Sequence, residues 1–249
     1  MFRKIALLSV FLLLMGTAYA FASTIDLTSG GTVIASDGSI WSVVTSSPTG
    51  TGVYEPFLRL QANGTEAGLN TDGDANSTYD DVAGIWTHSL TFGDLGVVNV
   101  GGTNYYSFTW DVNEPANGTD EYISLDTLQI YEHSSPNAMA IGELDTLLYT
   151  FSDPPVLINY LLSSSGSGKD DIESLIPTSE IASSDPAKYF YLYAEFGGVG
   201  VDDSTDFGSA SGYEEVRALT AVPEPSTLLL LGSGLIGIGL VWRIRRARK

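Results

Sequence analysis

From residue 23 to residue 221, short apolar or alternating runs are separated by clusters of Gly, Asn, Asp, Ser and Pro. The runs are rich in Tyr, Thr, Val, Ile and Phe, which suit a pleated, half-buried surface, and the clusters between them supply turns. This pattern predicts strands over 39–44, 57–61, 86–92, 97–100, 105–111, 123–131, 144–151, 156–162, 189–196 and 213–218. Within 189–196 the alternation is plain. Tyr189, Tyr191 and Tyr193 point to one face, and Phe190 and Leu192 to the other. No soluble stretch carries a convincing amphipathic helical period, and no fixed-period repeat indicates a solenoid or propeller. The expected fold class is therefore all-β, with a β-sandwich or jelly-roll-like domain at 23–221. The Ser/Gly run at 163–168 is expected to be a surface loop or a subdomain boundary.

The two ends follow a different pattern. Residues 1–20 have the build of a signal peptide: Arg3 and Lys4, an apolar run to Met15, then Ala18-Tyr19-Ala20 as a small-residue cleavage pattern. An overlapping Ala20-Phe21-Ala22 places cleavage after residue 20 or after residue 22. An apolar run this short does not comfortably span a bilayer, which favours a removed leader over a retained anchor. At the other end, Pro223-Glu224-Pro225 breaks incoming regular structure and leaves an extended segment. An apolar stretch from Leu228 to Trp242 follows, then the basic cluster Arg243, Arg245, Arg246, Arg248 and Lys249. As a helix that stretch rises only about 22 Å, so a transmembrane helix at 227–244 is needed to approach a minimal span. The basic cluster acts as the cytoplasmic stop, which leaves the middle of the chain outside.

Pro-Glu-Pro, a Gly- and Leu-rich span and a terminal arginine cluster, in that order over 222–249, resemble the PEP-CTERM sorting domain of Gram-negative bacteria. The same element is also labelled an ice-binding-protein C-terminal domain, which by itself implies no ice binding. The resemblance implies recognition of Pro223, Glu224 and Pro225 by an exosortase, with processing near the motif. It also suggests a surface or extracellular-matrix destination, in bacteria that make exopolysaccharide or biofilm. A permanent single-span anchor without processing is the competing reading. Several phrases of the middle, among them Trp86-Thr87-His88-Ser89-Leu90 and Trp110-Asp111-Val112-Asn113-Glu114, resemble PEP-CTERM ectodomains of unassigned function.

Charge narrows the partners. Between residues 21 and 222 only Arg59, Lys169, Lys188 and Arg217 are basic, against 29 acidic residues, so this part carries −25 where the whole chain carries −19. Such a surface excludes nucleic acid, which needs a basic footprint, and is expected to stay soluble by self-repulsion or to attract divalent cations. There is no cysteine, so the core, with or without a metal, must hold the exported domain.

The densest oxygen cluster is Asn70, Asp72, Asp74, Asn76, Thr78, Asp80 and Asp81, a candidate calcium site because a hard cation needs six to eight converging oxygens. Neither register completes an EF-hand. Counting from Asp72 puts Ser77 sixth and Ala83 twelfth, and counting from Asn70 puts Ala75 sixth. Asx-rich turns have this composition without metal as well. Asp202, Asp203 and Asp206 form a weaker second cluster. For catalysis there are two histidines, His88 and His133, whose ordinary reading is strand packing. The segment Gly208 to Gly212 has Ala210 where a nucleophile elbow needs serine. Asp111 with Glu114, or Glu214 with Glu215, are the acid pairs a glycosidase would need, yet such pairs arise by chance in so acidic a chain. Trp41, Trp86 and Trp110 are candidates for stacking on sugars, and equally for core packing. The leading expectation is a non-enzymatic exported surface or matrix protein with exosortase, membrane lipid and exopolysaccharide as partners. A carbohydrate-binding or adhesive β-sandwich, stabilised by calcium, is the alternative, and a secreted hydrolase the third.

Overall fold

The computed structural model describes residues 24–45, 55–73, 78–114, 121–162, 168–181, 185–199, 207–210 and 212–221. The expected signal peptide at 1–20 and the whole of 222–249, with its expected helix at 227–244, lie outside them. No helix among the described residues is long and apolar enough to cross a membrane.

The regular secondary structure of the described residues is almost wholly β, with only three short 3-10 helices beside the strands. In chain order the first eight strands are β1 (Ile25–Asp26), β2 (Thr32–Ile34), β3 (Ile40–Val43), β4 (Leu58–Leu60), β5 (Asn63–Gly64), β6 (Glu66–Leu69), β7 (Leu90–Thr91) and β8 (Val97–Val100). The rest are β9 (Thr103–Val112), β10 (Tyr122–His133), β11 (Thr146–Thr150), β12 (Val156–Asn159), β13 (Ile172–Pro177), β14 (Tyr189–Phe196), β15 (Ser209–Ala210) and β16 (Glu214–Ala218).

Two seven-stranded sheets result. The first runs β1-β12-β10-β14-β6, with β11 added to β10 and β7 to β14. The second runs β2-β3-β13-β9-β16-β4, with β8 added to β9. The long strands explain the branching. β10 offers residues 122–125 to β12 and 129–132 to β11. β9 offers 108–112 to β16 and 103–106 to β8. A short third ladder, β5 with β15, lies apart from both.

The sheets pack face to face because their alternating apolar positions meet. From β9, Phe108 stacks on Phe190 of β14 at 5.6 Å, and Trp110 meets Phe196 edge-on at 6.1 Å. Trp41 of β3 lies against Trp110 and Phe151. Each buried indole keeps its N–H satisfied, Trp41 by Ser39 Oγ and Trp110 by Ser174 Oγ, both at 3.0 Å. Along one edge the two sheets nearly touch. A Cβ at Gly68 of β6 would run into the Leu60 side chain of β4, so glycine lets the strands approach without displacing Leu60.

The alternation in β14 falls as expected, with one difference. Phe190 and Leu192 enter the inter-sheet core, while Tyr191 is buried in a second cluster with Leu69, Tyr131 and Ala138. The tyrosine face is therefore not a solvent face. A loop over it is held by Tyr191, whose hydroxyl donates to Ser135 O and accepts from Ala138 N.

Strands 97–100 and 189–196 fall where the pattern puts them. The run 86–92 is a strand only at β7, because Thr87 is drawn onto the edge of β4, its hydroxyl accepting Arg59 N–H at 3.2 Å. The run 156–162 stops at Asn159, whose side-chain oxygen accepts Leu161 N–H and turns the chain into a 3-10 helix. β6 and the central β13 were missing from the expectation. Glu66 and Gly68 in one, and Glu173, Ser174 and Pro177 in the other, break the apolar pattern.

Candidate functional site

The loop that begins at Asn70 is built to serve the first sheet. Asn70 is fully buried at the end of β6. Its amide N–H donates to Phe190 O at 2.9 Å, and its oxygen accepts Leu192 N–H at 2.6 Å, so it extends the ladder of β14 by one side chain. Asp72 accepts the backbone N–H and the hydroxyl of Ser89 at 2.8 and 2.9 Å. Asp80 accepts Ala67 N–H at 3.0 Å, and the buried Asp81 forms an isolated bridge to Leu60. Asp74 and Asn76 lie outside the described residues, as do Asp202, Asp203 and Asp206. The oxygens of Asn70, Asp72 and Asp80 are thus turned to three different partners. Among the described residues no three His, Cys, Asp or Glu side chains are grouped so as to hold a metal.

Beside this loop a cleft of about 350 Å³ is lined by Thr71, Asp72, Gly73, Ala83, Gly84, Thr87 and His88. Ser89 stands next to it, but its hydroxyl donates to Asp72, and His88 Nδ1 lies 3.0 Å from Ser89 O. Serine and histidine are therefore not joined as nucleophile and base. His133 packs edge-on to Tyr191, with Nδ1 3.2 Å from Asp145 Oδ1.

The outer face of the second sheet carries the larger groove, about 420 Å³, lined by Ser107, Thr109, Asp170, Glu173, Arg217 and neighbouring residues. Its lining carries three acids, Glu55, Asp170 and Glu173, against the one base Arg217. Arg217 donates to both oxygens of Asp170, and the Ser107 hydroxyl donates to Glu173. On the same face Arg59 is ion-paired to the buried Glu215 and sandwiched by aromatic rings, 3.7 Å from the Trp86 centroid and 4.9 Å from Tyr213. Trp86 is half-buried and Tyr213 is exposed, whereas Trp41 and Trp110 belong to the core.

The acid pairs suggested by sequence are separated by strand alternation. Glu215 and Asp111 are register partners on the outer face, while Glu214 and Glu114 turn inward. Asp111 is closed in, with its carboxyl accepting backbone N–H from Gly168 and Lys169 and the amide of Asn113. Burial, with Glu215 beside it, pushes Asp111 up to about 7 despite those donors.

Sequence reasoning missed a triad of carboxyls inside the molecule. Glu66 and Glu214 are 1 % exposed and Glu114 is 3 % exposed. A signal was present in the pattern. Glu114 continues the inward series Phe108, Trp110, Val112, and Glu214 is two residues before the core residue Val216, so both acids occupy core-facing positions.

The described fold ends where a distinct segment begins. After β16 the chain stays pinned by Leu219 N–H to Ser107 O, Gly96 N–H to Leu219 O and Ala221 N–H to Asp94 O. The described residues thus form an all-β unit that is held in place as far as Ala221. Residues 221–246 match the model of the PEP-CTERM protein-sorting motif, so the chain carries this motif, as its sequence resemblance led us to expect. The motif implies export, membrane-associated sorting to the cell surface and an exosortase as processing partner. Pro223, Glu224 and Pro225 fall within the match, as do Arg243, Arg245 and Arg246. No curated protein and no solved structure matches the chain.

Proposed function

We propose that this chain is a non-enzymatic surface or extracellular-matrix protein of the exopolysaccharide- or biofilm-associated kind, delivered by exosortase processing of its tail. The observation that carries this is the sorting motif at 221–246 placed directly after the last strand of a tightly cored unit. In this reading the leader is removed on export across the inner membrane. The segment 227–244 then anchors the chain transiently in lipid, and the basic residues from Arg243 to Lys249 hold its end in the cytoplasm. The two packed sheets are read as a β-sandwich. The non-enzymatic part draws support from Ser89 being bonded to Asp72 and from Asp111 being capped by backbone.

Replacing Pro223 and Glu224 together by alanine in the native host tests the delivery. Uncut precursor should accumulate in the membrane fraction, and an unchanged mature mass would show that exosortase does not process this tail. A carbohydrate-binding role is a second reading, favoured by the partly exposed Trp86 and Tyr213 flanking Arg59 beside the groove. It requires binding on a glycan array that Trp86→Ala abolishes.

A further inference from the structure

Three acids from three elements meet in the inter-sheet space at the edge where β4 approaches β6. Glu66 opens β6 of the first sheet, Glu214 opens β16 of the second, and Glu114 follows β9. Two of them receive backbone donors. Glu66 accepts Ala62 N–H at 2.8 Å, and Glu114 accepts Ala210 N–H at 2.9 Å, both from the segments that carry the small β5–β15 ladder. Glu214 lies between them and differs. Neither of its oxygens receives an N–H or hydroxyl, and its polar neighbours are the carboxyls of Glu66 and Glu114.

A buried carboxylate without a donor, facing two more, is untenable as an anion, since the desolvation cost adds to like-charge repulsion. Something positive must stand between them. Among the described residues the surroundings supply no cation. Leu60 and Val112, the register partners of Glu214, are apolar. The charged residues paired to β4 and β6 on this side are Asp80 and Asp81 on the crossing segment and Glu195 on β14, all acidic. Arg59 of β4 is turned to the opposite face, where it pairs with Glu215 beside Asp111. The β5–β15 ladder, formed by Asn63, Gly64, Ser209 and Ala210, carries no titratable group. Among the described residues no three acids are grouped as metal ligands, and the remaining candidate there is a proton.

We propose that Glu214 is held as a neutral carboxylic acid whose O–H donates to Glu66, forming a proton clip that fastens the last strand to the first sheet and lets go on ionisation. This assigns to β16 a pH-sensitive lock three residues before the sorting motif begins. Burial, and then the Glu66 and Glu114 carboxyls, raise Glu214 well above the ordinary carboxylate range; burial raises Glu66 as well. The folded state therefore binds more protons than the unfolded chain. The clip is complete at and below the ordinary carboxyl range and is lost as pH rises through the ionisation of the folded cluster.

The test is a pH series on the full chain in detergent. It reads amide hydrogen exchange of residues 214–218, corrected for its intrinsic pH dependence, and the infrared carbonyl stretch of protonated carboxylic acid. The native chain should keep a carboxylic acid band at neutral pH. Protection of β16 should fall about tenfold per pH unit above the ionisation of the cluster. Glu214→Gln keeps the shape and offers N–H donors without a titrating proton, so it should lose part of that band and flatten the pH dependence. No acid band in the native chain at neutral pH, or an unchanged pH dependence in Glu214→Gln, overturns the proposal. Should Glu214→Gln fail to fold, Glu66→Gln and the native infrared series decide by the same criteria. Calcium restoring protection of the native chain above neutral pH, with no effect on Glu214→Gln, would mean that a cation holds the cluster and would equally overturn it.

Discussion

Asn70 shows how one side chain can be mistaken for a ligand. In sequence it opens an Asx-rich run, yet its amide is occupied by donating to Phe190 O and accepting Leu192 N–H. Asn70→Ala leaves a buried donor and a buried acceptor unmet and is expected to cost about 2–4 kcal/mol in urea denaturation, at about 1–3 kcal/mol per orphaned group. The loss should be the same with and without calcium, because the role argued for Asn70 is backbone support. Arg59 presents the opposite case, an isolated basic residue whose importance sequence did not show. With Glu215 only 2 % exposed beside it, Arg59→Ala strands a buried charge and should cost about 3–5 kcal/mol by the same measurement.

At the scale of elements, alternation decides which face each acid occupies. Period-two reading separates Asp111 from Glu114 and Glu214 from Glu215, so neither sequence-adjacent pair can act as a two-carboxylate site. The same alternation brings Glu114 and Glu214 to positions where apolar residues are the rule. β6 is tolerated next to β4 because Gly68 has no side chain to collide with Leu60 and Asp81. Gly68→Ala should therefore destabilise by about 1–3 kcal/mol, the usual cost of overpacking, seen as a lowered urea midpoint at unchanged slope. β10 and β14 were legible because both are long and carry aromatic residues, with β-branched ones in β10 as well. β6 and β13 were not, because polar and glycine positions that pack well in three dimensions look like loop composition in one.

The whole molecule combines a dense charge with buried acids. Its −25 over the exported part repels itself, so added salt should raise the thermal midpoint by screening. Asp111 at about 7, with Glu66, Asp126 and Glu214 all raised chiefly by burial, means that the folded chain holds protons which the unfolded chain has released. Stability should thus fall as pH rises from about 5 to about 8, and thermal melting across that window checks the sign. An increase over the same range would mean that these carboxyls are ionised in the folded state.

The sequence alone determined what depends on local pattern: the all-β class, the two-faced alternation of β14, the negative net charge and the sorting motif with its Pro223-Glu224-Pro225 start. These are legible because a two-residue period, a net charge and a contiguous motif need no knowledge of distant residues. Tertiary structure decided the rest. β9 pairs with β13 and β16, Asn70 reaches β14, and Glu66 meets Glu214 across most of the chain. Strand pairing is chosen by the fit of whole faces, so the partners of a polar residue at a core-facing position are set only when two sheets close upon it.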